Sequence, residues 1–324
     1  MTALIKSNNL SLQITVNNPA TRISTDYIKA ATSSNTRRAY SSDIRHFKYD
    51  GGLLPATSEY IIAYLQKNAA ILNPRTLSRR LTALKQWHLC QEFPDPTSHP
   101  MVRKTLAGIM NIHGIPKNKA LALTAEQLAQ IVKILSDSDL LINYRDSALL
   151  QIGFFGAFRR SELVNIKVEH IKELREGMEI LIPRSKTDQI GQGKICAIPY
   201  GKDKLCPVTA LIRWLNKANI KDGAVFRTIT KNNLLGDTAL VAESVTLILR
   251  RAIAKLNNLN VKTFSSHSLR RGFATAASKN GASLPAIMRQ GRWQHEGTVI
   301  EYIEESQLFE NNAADLILNI INNK

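Results

Sequence analysis

The chain has few cysteines and no long apolar run. Its three cysteines, Cys90, Cys196 and Cys206, are far apart in a sequence of 324 residues. So few cysteines, so widely spaced, exclude a disulfide framework or a zinc site, and we expect neither a metal nor a cofactor. No apolar run reaches the ~18 residues that cross a bilayer, and the polar N-terminus lacks the apolar core of a secretory signal. The sequence therefore predicts a soluble protein of the reduced cytoplasm, without a membrane partner.

Acidic residues are also scarce in comparison with basic ones. The sequence has 43 lysines and arginines against 26 aspartates and glutamates, which gives a formal net charge of +17. Residues 1–118 contain 15 basic and 6 acidic residues, and residues 119–324 contain 28 and 20. Such a charge is typical of proteins that neutralise phosphates, although a merely soluble basic protein would also fit it. Both halves of the chain are therefore candidates for contact with DNA.

Changes in composition and hydrophobic period divide the chain into segments. Residues 1–20 are rich in Asn, Ser and Thr and predict a flexible tail. Residues 21–115 follow a helical period and predict a small helical domain, which a linker over 116–123 ends. Residues 124–324 predict a second domain of α+β class, in which helices dominate over a small β-hairpin. Its predicted elements are a capped helix that opens at Thr124, an apolar helix over 146–162 interrupted at Gly153 and Gly156, strands over 178–183 and 194–199, and mostly helices over 207–322.

One predicted helix of the first domain has two chemically different faces. Asn73 followed by Pro74 is typical of a helix start, and the helix should run to about Cys90. Its apolar stripe consists of Leu77, Leu81, Leu84 and His88, and its polar face of Arg75, Arg79, Thr82 and Gln86. Arginine can pair with guanine and glutamine with adenine in a major groove, although an ordinary solvated helix face remains the alternative. The predicted DNA contacts of this domain are Arg75, Arg79 and Gln86, together with Arg37 and Arg38 near another helix start.

A tyrosine near the C-terminus follows residues that suit phosphate chemistry. Tyr302 lies nine residues after Trp293 and downstream of the motif His267-Ser268-Leu269-Arg270. A tyrosine hydroxyl, with an ordinary pKa of about 10, needs a cationic field or a base in order to attack a phosphodiester, and His267 is suited to help it. Two guanidiniums can stabilise the additional negative charge of the reacting phosphate, and the candidates are Arg270 and one arginine of the upstream pair Arg159-Arg160. Each residue alone would more often have a structural role, but their joint spacing favours the chemistry.

This set resembles the active site of the tyrosine recombinases, the phage-integrase family of DNA strand-exchange enzymes. The resemblance includes Arg159 three residues before Glu162, and a lysine in Arg184-Ser185-Lys186-Thr187 between the two predicted strands. Trp293 in the place of the commoner second histidine is similar to the branch that includes Cre recombinase. The catalytic residues that the resemblance implies are Arg159, Lys186 as general acid on a hairpin arm, His267, Arg270, Trp293 and the nucleophile Tyr302, with Glu162 in support. Trp293 can donate its indole N–H but cannot transfer a proton, and a core tryptophan is the alternative.

The resemblance also implies a fold and an activity. A helical core-binding domain and a catalytic domain would form a C-shaped clamp on double-stranded DNA. The enzyme would be a site-specific recombinase or integrase that forms a 3′-phosphotyrosyl intermediate without a cofactor. Protomers that are monomeric when free would act as a tetramer on two sites, and a C-terminal helix would dock into a neighbouring protomer or fold back on its own domain. A type IB topoisomerase and a non-enzymatic DNA-binding protein on the same scaffold remain alternatives.

Overall fold

The computed structural model of the chain describes residues 27, 29–184, 191–202, 205–256, 259–306 and 314. The predicted tail, Lys186 and most of the predicted docking segment after residue 306 lie outside these described residues. The chain separates into two compact units, Met1–Lys117 and Asn118–Lys324, and this boundary falls inside the segment predicted as a linker. In the described part of the chain, no helix is long and apolar enough to span a membrane.

The N-terminal unit is built from helices that pack around an apolar core. Its helices are α1 (Ser34–Tyr49), α2 (Ser58–Asn68), α3 (Pro74–Cys90) and α4 (Pro100–His113), with a 3₁₀ turn at Pro96–Ser98. The bounds of α3 confirm the prediction, and Asn73 caps the helix by accepting a hydrogen bond from the backbone N–H of Arg75 at 2.9 Å. The predicted apolar stripe of α3 is buried, and its predicted polar face is exposed. Both faces of α3 are therefore as the periodicity predicts.

The C-terminal unit combines helices with small antiparallel sheets. Its helices are α5 (Ala125–Ser136), α6 (Leu141–Phe155), α7 (Arg160–Val164), α8 (Pro207–Lys217), α9 (Ala242–Ile253), α10 (His267–Lys279), α11 (Leu284–Gly291) and α12 (Glu296–Ser306). Its strands are β1 (Ile171–Leu174), β2 (Gly177–Ile182), β3 (Lys194–Pro199), β4 (Arg227–Ile229) and β5 (Leu235–Ala239). This mainly helical architecture with small β-hairpins confirms the predicted fold class. The capping box that opens α5 is also confirmed, because Thr124 and Gln127 exchange both of its hydrogen bonds.

The strands form a three-stranded sheet in the order β1-β2-β3 and a separate β4-β5 hairpin. The β2 and β3 strands lie where the sequence predicted them, and they pair antiparallel from Gly177 with Pro199 to Ile182 with Lys194. Neither β1 nor the β4-β5 hairpin was predicted. The middle of β1 is exposed and no residue of the short β4 is fully buried, so neither strand carries the alternation of apolar and polar residues that indicates a half-buried strand.

The prediction of an apolar helix over 146–162 is wrong in its bounds. The observed α6 starts earlier, at Leu141, and ends before Gly156, which forms its C-cap. Gly153 lies inside α6 and does not interrupt it. A Cβ atom on Gly153 would come 2.9 Å from Leu269 Cδ1, so the glycine lets α10 pack closely on α6. The turn that follows α6 is thereby held near the first residues of α10.

Candidate active site

Arg159 lies at the N-cap of α7, and the first turn of that helix holds its side chain. Its backbone N–H donates to Glu162 Oε2 at 3.0 Å, and its Nη1 donates to Glu162 Oε1 at 2.6 Å. Burial opposes ionisation of Glu162, but the charge of Arg292 and the hydrogen bonds from Arg159 hold the pKa of this carboxyl below its ordinary value. The side chain of Arg159 keeps 18% of its surface exposed. Glu162 therefore stays ionised at neutral pH and orients a guanidinium that solvent or substrate can reach.

Arg270 lies in the first turn of α10 and is only 3% exposed. Its Nη1 donates to the backbone carbonyl of Ala157, and its guanidinium carbon lies 4.0 Å from the centre of the Trp293 ring. Among the residues that the structure describes, its buried Nη2 has no hydrogen-bond partner. Burial and the charges of Arg159 and Arg292 lower the pKa of Arg270 to about 9, so the guanidinium is still charged at neutral pH. A charged donor without a partner is costly to bury and is suited to an anionic oxygen.

His267 is the first residue of α10 and is exposed. It precedes Arg270 by one helical turn, so the two side chains lie on the same face of the helix. Hydrogen bonds between neighbouring residues fix this helix start. The backbone N–H of His267 donates to Ser265 Oγ at 3.2 Å, and the backbone N–H of Ser265 donates to Ser268 Oγ at 3.0 Å. The imidazole is therefore placed at the solvent edge of the arginine site.

Tyr302 of α12 and Trp293, in the turn before it, pack against each other. Their ring centroids lie 6.4 Å apart with an interplanar angle of 71°, the edge-to-face arrangement that aromatic pairs prefer. The guanidinium carbon of Arg271 lies 4.9 Å from the centre of the Tyr302 ring. A Cβ atom on Gly291 would come 1.7 Å from the Trp293 ring, so only glycine fits beneath the indole. Through Trp293, a continuous set of contacts connects Tyr302 with Arg270.

Arg292 is a candidate functional residue that the sequence analysis missed. It is 4% exposed, and its Nη2 lies 3.2 Å from Glu162 Oε2. Its backbone has φ 57° and ψ 41°, the left-handed conformation after α11 that favours glycine. The adjacent Trp293 is the one signal in the sequence that could have drawn attention to it.

The predicted DNA-binding residues of the N-terminal unit lie on α1 and α3. Those residues, Arg37, Arg38, Arg75, Arg79 and Gln86, are all exposed. The guanidinium of Arg37 donates to two backbone carbonyls that precede α1. Arg75 Nη1 donates to the carbonyl of Ile115 at 2.9 Å, and Arg79 Nη2 lies 2.8 Å from Asp43 Oδ1. Three of the arginines therefore have intramolecular partners and also face solvent.

Comparisons with known proteins show the family to which the chain belongs. The sequence model of the phage integrase family matches residues 121–308. The chain is 36% identical over 301 residues to the integrase/recombinase XerD homolog of Selenomonas ruminantium, with 90% of this chain and 88% of that protein covered. It is 26% identical over 266 residues to the recombinase Cre of Escherichia phage P1, with 77% and 76% covered. The solved structure of the Tn1549 transposon integrase in complex with transposon right end DNA has a similar fold, with a TM-score of 0.60 at 12% identity over 94% of this chain and 97% of that one. The chain belongs to the phage integrase family and is a tyrosine recombinase.

Proposed function

We propose that this recombinase cleaves and rejoins double-stranded DNA at specific sites, with Tyr302 as its nucleophile. The observation that carries the proposal is the set of contacts from Tyr302 through Trp293 to Arg270. In that set, the buried Nη2 of Arg270 has no hydrogen-bond partner among the described residues. An anionic oxygen is the ligand that such a donor lacks. We assign this oxygen to the scissile phosphate of the DNA.

Cleavage and rejoining exchange one phosphoester bond for another. The hydroxyl oxygen of Tyr302 attacks phosphorus and loses its proton, while the bond from phosphorus to the 5′-oxygen breaks and that oxygen leaves as a hydroxyl. The product is a 3′-phosphotyrosyl bond. A 5′-hydroxyl of the partner duplex then attacks the same phosphorus, and Tyr302 leaves with its proton restored. The phosphotyrosyl bond retains the energy of the original phosphodiester, so the second step needs no ATP.

Three side chains are proposed to stabilise the charge of the reacting phosphate. Arg159 and Arg270 each present a planar guanidinium, which can donate two hydrogen bonds to non-bridging oxygens and stays charged at working pH. Trp293 donates its indole N–H to an oxygen but transfers no proton. The indole face also contacts Arg270 and helps to orient its guanidinium.

Two side chains are proposed to handle protons. His267 acts as a base or a hydrogen-bond partner for the hydroxyl of Tyr302, because an imidazole can accept or donate a proton and His267 lies on the same helix face as Arg270. Lys186 acts as the general acid that protonates the leaving 5′-oxygen. Glu162 is not proposed to transfer a proton, because its role is to hold Arg159.

The exposed basic residues of α1 and α3 are proposed to bind the duplex. The proposed contacts are Arg37, Arg38, Arg75, Arg79 and Gln86. We further propose that free monomers assemble as a tetramer on two DNA sites in the cytoplasm, with the segment after residue 306 docked on a neighbour. The DNA bound to the Tn1549 integrase supports DNA as the partner. The charge of +17 on the chain also favours a phosphate-rich partner.

Covalent capture of DNA tests the proposal. The wild-type protein is incubated with a pool of nicked duplexes of random sequence, and complexes that survive SDS are isolated and sequenced. We expect a defined set of duplexes to be enriched, and Tyr302→Phe to bind them without forming adducts. Tyr200→Phe is a matched control, because this hydroxyl bonds to Glu173 on the surface of the sheet. Adducts in Tyr302→Phe would reject the nucleophile.

A second measurement separates recombination from the alternatives. Two copies of the enriched duplex sequence are placed on one supercoiled plasmid. A recombinase deletes or inverts the segment between them, whereas a topoisomerase produces only relaxed plasmid. Binding of the plasmid without any broken strand would instead favour a non-enzymatic DNA-binding protein.

A further inference from the structure

We infer that Arg292 is a positioning residue of the recombination reaction, which aligns Arg159 through the carboxylate of Glu162. The inference rests on the proposed role of Arg159. Arg292 itself is 4% exposed, so its guanidinium acts on the interior of the protein. Its Nη2 lies 3.2 Å from Glu162 Oε2, and the Glu162 side chain is itself only 2% exposed. A buried guanidinium and a buried carboxylate therefore lie directly behind Arg159.

The hydrogen bonds of Glu162 connect Arg292 with Arg159, so the position of Arg292 affects the position of Arg159. Glu162 Oε2 accepts from Arg292 Nη2 at 3.2 Å and from the backbone N–H of Arg159 at 3.0 Å. Glu162 Oε1 accepts from Arg159 Nη1 at 2.6 Å. Because both oxygens have fixed partners, the carboxylate cannot rotate without breaking one of these bonds. Glu162 thereby fixes the position of Nη1 in the Arg159 guanidinium.

Arg292 also holds the turn between α6 and α7. Its Nη1 and Nη2 each donate to the carbonyl of Gly156 at 3.1 Å, and Nη1 donates to the carbonyl of Gln290 at 2.7 Å. Ala157, the next residue of this turn, provides the carbonyl that accepts from Arg270. The Arg292 guanidinium thus contacts both Glu162, which holds Arg159, and the turn whose Ala157 carbonyl holds Arg270.

The backbone conformation at position 292 does not favour arginine, which indicates that the contacts of the side chain account for the arginine. The left-handed conformation with φ 57° is one that glycine adopts without steric cost and arginine does not. If residue 292 served only to end α11, glycine would be the more favourable residue. Arginine is less favourable than glycine in this backbone conformation, but only arginine provides a buried guanidinium with several hydrogen bonds.

The charge of Arg292 also affects the protonation of Glu162. The ionisable groups that act on Glu162 are the guanidiniums of Arg159, Arg270 and Arg292 and the thiol of Cys196. Burial raises the pKa of the Cys196 thiol, so this group is neutral at working pH. Loss of Arg292 removes a positive charge and raises the pKa of Glu162. The carboxyl then protonates at a higher pH, and the acidic limit of cleavage activity should move to higher pH.

The test measures DNA affinity and cleavage separately. The probe is the nicked duplex that the wild-type protein enriches most from the random pool. Arg292→Gly removes the guanidinium and suits the left-handed backbone, and Arg292→Lys keeps the charge with fewer donors. We expect unchanged affinity, single-turnover cleavage about 100-fold slower in Arg292→Gly, and a smaller loss in Arg292→Lys. Arg289→Gln, which removes an exposed arginine from the last turn of α11, is the matched control and should cleave the bound duplex at the wild-type rate.

A double variant distinguishes positioning from mere structural support. If Arg292 acts mainly through Glu162, Glu162→Gln combined with Arg292→Gly cleaves clearly faster than the product of the two single losses predicts. Independent, multiplied losses would overturn the inference, as would a wild-type rate in Arg292→Gly. If Arg292→Gly does not fold by circular dichroism, Arg292→Lys provides the same comparison. A wild-type protein that captures no duplex would instead overturn the proposed function on which the inference rests.

Discussion

Replacement of Arg270 by methionine should stabilise the DNA-free protein while it abolishes cleavage. Arg270 is buried beside two other positive charges, those of Arg159 and Arg292, which together with burial lower its pKa to about 9. Methionine is unbranched, flexible and uncharged, so it can occupy the part of the site that holds the aliphatic stem of Arg270 without the electrostatic penalty. It also removes the guanidinium that we assign to the phosphate. Stability and activity should therefore change in opposite directions.

The expected size of the stabilisation follows from the contacts of Arg270. The lowered pKa corresponds to about 5 kcal/mol of unfavourable interactions of the charged form in the folded state. The hydrogen bond to the carbonyl of Ala157 offsets about 2 kcal/mol, and the contact with the Trp293 ring offsets about 1 kcal/mol. The variant should thus gain about 2 kcal/mol in free energy of unfolding, which raises Tm by about 4–8 °C. Thermal unfolding of the protein without DNA measures this shift.

The stability difference should also depend on pH. The folded state lowers the pKa of Arg270, so the penalty is fully present below about pH 9. As the pH rises above that value, Arg270 loses its proton more readily in the folded than in the unfolded protein, and the penalty is relieved. The advantage of Arg270→Met over the wild type should therefore be larger at neutral pH than above pH 9. An advantage that grew with rising pH would contradict this reasoning.

Arg145→Met is the matched control for this experiment. Arg145 is also buried, but its Nε and Nη2 donate to Asp146 Oδ1 at 3.0 and 2.7 Å. Its removal takes a partner from a buried carboxylate and should destabilise the fold by about 3 kcal/mol. A decrease in the Tm of Arg270→Met that matches the decrease in Arg145→Met would show that Arg270 is a structural arginine, and the reasoning would fail.

The remaining predictions concern Arg159, the DNA contacts and the C-terminal segment. Arg159→Lys should slow formation of the covalent complex by about 100-fold or more, because an ammonium cannot reproduce the two-pronged contact, and a near-normal rate would mean that another arginine binds the phosphate. Replacement of both Arg75 and Arg79 by alanine should weaken binding and reduce the slope of log affinity against log salt by about 2, and an unchanged slope would mean that these residues bind no phosphate. Deletion of residues 306–324 should leave single-site binding intact and remove cooperative occupancy of paired sites in a gel-shift assay. A truncated protein that recombines at the wild-type rate would contradict the docking role.

Local signals allowed part of the fold to be predicted. The helix α3 was predictable because its cap, its first proline and the period of its apolar residues all lie within one short segment. His267 and Arg270 were predictable as neighbours since they are separated by one turn of a single helix. The family comparisons confirm the membership that these motifs indicated. The catalytic role of each residue stays a prediction until the variants are measured.

Features that depend on distant contacts were not predictable. Arg292 and Glu162 are 130 residues apart, and an arginine in a left-handed turn follows no local preference. Gly153 reads as a helix breaker in the sequence, yet in the structure it permits close helix packing. The strand β4 has only three residues, so it is too short for its period to be recognised.

The ion pair between Glu162 and Arg292 joins the two ends of a long stretch of chain. The turn between β4 and β5 lies within that stretch, and its residues Lys231 and Asn232 are exposed. An insertion in this turn lengthens the segment between Glu162 and Arg292 at little entropic cost. It does not change the positions of the two side chains of the ion pair. This turn is therefore a suitable attachment point for a fluorophore or a fused domain. Through such a label the recombinase can be followed on DNA while its reacting groups stay undisturbed.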